Sequence, residues 1–190
     1  MMKKKMVQKI TISALLVALA LALSVAERLL PIGALIPVPG VKLGLANVVT
    51  MLALFYIGAR GALAVLVLRC LLGGLFTGIT AMIFSLSGGL LAFAAMLALK
   101  QWHARAFSIF GISIGGAAAH NAGQIIAASL LLGQNLYTTY LPILLLTGLA
   151  TGVITAAAAG ALFIRLEKSG VISRYFPDAH LMMTAERKRA

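Results

Sequence analysis

"GGAAAHNAGQIIAASLLLG", Gly115–Gly133, reads as a membrane span with His120, Asn121 and Gln124 in its middle. A helix at hydrocarbon depth gains nothing from such side chains unless a neighbouring helix, a trapped water or a bound molecule satisfies them. The rest of the chain agrees with a membrane setting. Of its 190 residues, 62% are hydrophobic and 11% charged, with a mean hydropathy of +1.05. A soluble domain carries about 25% charged residues. The sequence therefore predicts an all-α membrane protein whose length suits one compact bundle.

Apolar runs of about 20 residues mark spans. Six such segments lie near 10–30, 43–58, 61–77, 82–100, 107–132 and 138–165. They predict a single six-helix membrane domain over residues 1–168 and a basic cytoplasmic tail over 169–190. The breaks carry suitable punctuation. "PIGALIPVPGVK" (Pro31–Lys42) has three prolines and two glycines and reads as irregular backbone. "IGARG" is a tight turn, "KQWHARA" a polar connection, and "GQNLYTTY" carries interfacial tyrosines. The weakest boundary lies near "FTGITAM", between the third and fourth segments.

The net charge of +12 is distributed as an orientation signal, not as a nucleic-acid patch. With the N-terminus inside, 13 of the 16 basic residues fall on the cytoplasmic side, including Lys3–Lys5, Arg60, Lys100, Arg105 and Arg165. Arg28 and Lys42 fall outside, and Arg69 lies within a span. The positive-inside rule thus predicts both termini in the cytoplasm. The first 27 residues also resemble a signal peptide ending at "SVA". Their long apolar region and the spans that follow favour an uncleaved first helix. The tail beyond Arg165 reads as a solvated end that touches anionic lipid.

Several residues are candidates for function. Ala14, Ala18, Ala22 and Ala26 recur every fourth position, a smooth stripe about 18 Å long at 1.5 Å rise per residue. Such a stripe fits either packing inside the bundle or docking of a separate subunit. Lys42 fits two roles as well, an anchor snorkelling to the interface or the cationic wall of an outward-facing pocket. Asn47, at shallow depth, fits both. Arg69 lies mid-span, where an arginine costs at least roughly 2.5–3.5 kcal/mol and so faces the bundle interior or a wet cavity. The acids are Glu27, Glu167, Asp178 and Glu186. Glu27 reads as near the outer face and the others as at or near the tail, so neutral acceptors, Asn121, Gln124 or an anionic ligand are the expected partners of Arg69. His120, Asn121 and Gln124, at three- and four-residue spacing, are expected on one side of their helix. Interhelical polar bonds average only about 0.6 kcal/mol in membranes, which favours a polar cavity over stability as their purpose. Glycine pairs at Gly74/Gly78, Gly111/Gly115 and Gly148/Gly152 are expected to be packing contacts.

"PGVKLGLANVV" (Pro39–Val49), "LRCLLGGLF" (Leu68–Phe76) and "HNAGQ" (His120–Gln124) together resemble the Gx transporter family. Its members are often labelled heptaprenyl diphosphate synthase component I. The wider grouping is that of the substrate-binding S-components of energy-coupling factor (ECF) transporters, which are six-helix bundles. The resemblance implies a micronutrient or an isoprenoid-related precursor captured from outside. It also implies docking on a transmembrane coupling subunit driven by two cytoplasmic ATPase subunits. In that grouping an alanine-xxx-alanine pattern in the first span makes the docking contact, Ala14 and Ala18 match it by position, and Ala22 continues the stripe as a docking candidate. The pocket candidates, Lys42, Asn47, Arg69, His120, Asn121 and Gln124, stand on physical reasoning alone.

The synthase label fits the residues poorly. Magnesium-bound diphosphate needs hard oxygen ligands, and the single aspartate, Asp178, lies in the basic tail. His103, His120 and His180 fall in different regions and offer no zinc set. Cys70, the only cysteine, reads as a small buried apolar residue. No catalytic residue, metal or cofactor is expected. The alternative to transport is a non-catalytic membrane subunit of a prenyl-diphosphate, quinone-related or redox complex.

Overall fold

The computed structural model describes residues 2–29, 44–103, 106–132 and 136–170. Lys42, the proline-rich stretch around it and the tail beyond Gly170 lie outside the described residues. Six helices are present among them, and no β-strand: α1 (Met2–Leu29), α2 (Leu45–Tyr56), α3 (Ala59–Thr77), α4 (Ile79–Gln101), α5 (Ile109–Leu132) and α6 (Leu136–Lys168). They fall on the six apolar segments of the sequence. Among the described residues four stretches are long and apolar enough to cross a bilayer: Met6–Glu27, Ala59–Thr77, Ile79–Gln101 and Gly148–Lys168. The protein therefore spans a membrane. α5 has the length of a span at 24 residues, but His120, Asn121 and Gln124 dilute its apolar character.

α2 is the centre of the bundle. It has only 12 residues, and Ala46 through Phe55 are all buried. All five other helices touch it. A helix that is apolar all round belongs in such a place, since it has no polar face to present elsewhere. Val48, Met51, Leu52 and Leu54 form the middle of the core, joined by Val65 from α3, Met96 from α4 and Phe163 from α6.

The buried helix has opposite charges at its two ends. At its start the Glu27 carboxylate, from the end of α1, accepts the backbone N–H of Leu45. At its far end the Lys100 ammonium, from α4, donates to the Leu54 carbonyl at 2.7 Å and lies 4.8 Å from the centroid of the Phe55 ring. The first amides and last carbonyls of a helix have no partner within it. The two side chains satisfy one group at each end, with the sign that the helix dipole favours.

The helices meet antiparallel in chain order, with glycine at the close approaches. α3 turns into α4 at one residue, Gly78, whose φ of +87° and ψ of 165° suit glycine alone. Gly78 is thus a turn and not half of a packing pair. α4 and α5 cross where a Cβ on Gly123 would stand 2.7 Å from the Ser87 carbonyl oxygen and 2.8 Å from Gly88 Cα. Gly148 and Gly152 do pack as a pair. A Cβ there would come within 2.8 Å of Asn121 Nδ2 and 3.2 Å of Ile114 Cα, respectively.

Candidate functional site

A small cavity lies beside the first turn of α2. Glu27 from α1, Asn47 from α2, Arg69 and Cys70 from α3, Ser85 from α4 and His120 from α5 line it. Five helices thus converge on one point. Its volume of about 30 Å³ holds on the order of two waters. Gly73 and Gly74 also border it and contribute no side chain, which leaves the space open between α1 and α3.

Arg69 is the main charge on this site. It is 6% exposed, with Glu27 at 5% and Asn47 at 7%. Its Nη2 donates to Asn47 Oδ1 at 3.1 Å. Arginine has five N–H donors, and its Nε is buried with no hydrogen-bond partner among the described residues. Asn47 Nδ2 is in the same position. A bond to a charged group is worth about 1.5–3 kcal/mol, comparable with the cost of placing arginine mid-span, but an unmade donor adds about 1–3 kcal/mol against it. The arrangement therefore leaves two buried donors, from side chains that line the cavity, available for an acceptor.

The sequence candidates divide between different neighbours. Asn47, Arg69 and His120 meet at the cavity. Gln124 sits below His120 at the α4–α5 crossing, where both would touch a Cβ on Gly88. Both amide atoms of Gln124 are buried without a hydrogen bond among the described residues. Asn121 points instead toward Gly148 on α6. Successive helical residues are about 100° apart at 3.6 per turn, so His120 and Asn121 face different neighbours. The expected single polar side is thus two faces, with Gln124 beside His120. Arg69 meets Asn47 and not Asn121 or Gln124.

Glu27 is the residue whose role linear position did not reveal. The sequence sets it near the outer face and apart from Arg69, yet it is buried at the start of α2 and shares the cavity with Arg69. The available signal was its rarity, as one of four acids in the chain. The alanine stripe, by contrast, faces outward. Ala14, Ala18, Ala22 and Ala26 are all exposed, while Val17, Ala20 and Glu27 on the other side of α1 are buried. The stripe therefore lies on the outer surface of the bundle formed by the described residues.

Among the described residues no three histidine, cysteine or acidic side chains form a group able to hold a metal ion. No curated protein and no solved structure matches the chain. A family model does: the one described as heptaprenyl diphosphate synthase component I matches residues 16–162, from the middle of α1 to near the end of α6, and the chain belongs to that family.

Proposed function

We propose that the protein is the substrate-binding component of an ECF-type importer in the cytoplasmic membrane. The chain crosses the bilayer six times, with both termini in the cytoplasm and with α2, too short at 12 residues to span alone, enclosed by the other helices. The start of α2 then faces the outer half of the membrane and the Lys100 end faces the inner half. The cavity around Arg69 receives part of a small molecule from outside. His120, Asn121 and Gln124 line the deeper wall or brace it. The observation that carries this reading is the pair of unsatisfied buried donors, on Arg69 and Asn47, in a cavity at one end of a central helix. A purely structural arginine would use its donors on the protein. The exposed alanine stripe supports the second half of the reading, as a smooth outer surface for a coupling subunit that works with two ATPase subunits.

Native mass spectrometry of the protein purified from its own membranes tests this reading, with a retained small molecule and a co-purifying coupling subunit expected. Arg69→Ala should abolish retention of that mass while the protein still elutes as a folded species. Undiminished retention would make Arg69 a structural residue. The family description favours a second reading, a non-catalytic membrane subunit of a prenyl-diphosphate, quinone-related or redox complex. In that case a partner enzyme co-purifies and no small molecule stabilises the chain.

A further inference from the structure

Resting on the ligand-binding reading, we infer that the cavity takes an uncharged carbonyl-type group and selects against phosphate. The donors come first. Arg69 Nε and Asn47 Nδ2 belong to side chains that are more than nine-tenths buried, line the cavity and offer N–H groups without acceptors among the described residues. What completes them is an oxygen acceptor.

Charge then narrows the class. The Glu27 carboxylate lines the same cavity and is held at the positive end of α2 by the Leu45 N–H. Among the described residues the cavity's guanidinium is therefore already matched by a carboxylate. A phosphate or diphosphate would bring further negative charge beside Glu27 in a medium of low dielectric, where like charges repel by several kcal/mol at contact distance. An amide, imide or quinone-like carbonyl accepts from Arg69 and Asn47 and adds no charge. The cavity's volume of about 30 Å³ has room for on the order of two waters and thus for the end of a molecule. The cavity chemistry accordingly differs from what the family's description would suggest.

Glu27→Gln provides the test. The amide oxygen of glutamine still accepts the Leu45 N–H, so the start of α2 keeps its cap while the cavity loses its negative charge. Binding is read as the shift in thermal midpoint of the full chain in lipid nanodiscs, at matched ionic strength. The probes are succinimide, which is uncharged with two carbonyls, and inorganic pyrophosphate. In the wild-type protein, succinimide should raise the midpoint and pyrophosphate should not. Asn47→Leu and Arg69→Gln should each remove the succinimide response. Glu27→Gln should strengthen pyrophosphate binding by at least about tenfold, the order expected of one unit charge a few ångströms away. Pyrophosphate binding to the wild type that depends on Arg69 would overturn the uncharged class and leave the ligand-binding reading standing. No response to either probe, in the wild type and in Glu27→Gln alike, would overturn both.

Discussion

Lys100 shows how a single side chain can serve two readings. In the sequence it counts as one of the positive charges that orient the chain. In the fold its ammonium donates to the Leu54 carbonyl and lies against the Phe55 ring, closing the end of the buried helix. Hydrogen bonds from charged groups contribute about 1.5–3 kcal/mol, the lower end applying to a half-buried donor. Lys100→Met should therefore lower stability by about 1–2 kcal/mol, read as a reduced unfolding midpoint in detergent. Lys100→Arg should recover most of the loss. The same comparison explains why Glu27 was hard to place from sequence. Linear position gives the depth of a residue along its own helix. It does not say which helix begins beside it, and the start of α2 meets Glu27 only after the chain has passed residues 30–43. Arg69 was legible because its depth alone made it costly. Its partner was not, since Asn47 looked like a shallow residue on another span.

At the scale of helices, apolar length and punctuation located all six elements, although the break between α3 and α4 is the least distinct in sequence and is confined to Gly78 in the fold. They did not separate the central helix from the outer ones. α2 and α3 read as similar apolar runs, yet α2 is enclosed and α3 leaves Leu68, Leu71, Leu72 and Leu75 exposed. The glycines reveal the difference between apolar content and contact. A Cβ at Gly123 would meet backbone atoms of Ser87 and Gly88, which cannot rotate away. One at Gly73 would meet only Leu21 Cδ2, at 3.7 Å. Gly123→Ala should accordingly cost about 1–3 kcal/mol through overpacking. Gly73→Ala should be neutral or stabilise by up to about 1 kcal/mol, the helix-propensity gain. Parallel denaturation of the two variants checks this, and equal effects would show that α4 and α5 part readily. Separation at Gly123 would also shift His120 and Gln124, so the costly variant should weaken succinimide binding as well.

At the scale of the whole molecule, the fold and the charge distribution make a joint statement about sidedness. With both termini inside, as proposed, Thr80, just after the Gly78 turn, would face out and Ser108, before α5, would face in. Both are exposed, and the sole native cysteine, Cys70, is buried. An impermeant thiol reagent added to intact cells should label Thr80→Cys and spare Ser108→Cys, and the reverse result would invert the topology. Sidedness in turn fixes what the outer face of α1 does. Under the proposed function, Ala14 and Ala18 would lie in the inner half of the bilayer, where a coupling subunit linked to cytoplasmic ATPases would be met. Both are exposed, so bulk there is expected to leave the core, and the cavity at the other end of α1, in place. Ala18→Trp should therefore leave the melting midpoint and the succinimide response of the isolated protein unchanged. It should nevertheless abolish co-purification with the coupling subunit, together with accumulation of the retained molecule in cells. Were Ala18→Trp to leave both assembly and accumulation intact, the stripe would be a lipid-facing surface and the docking contact would have to lie on another helix.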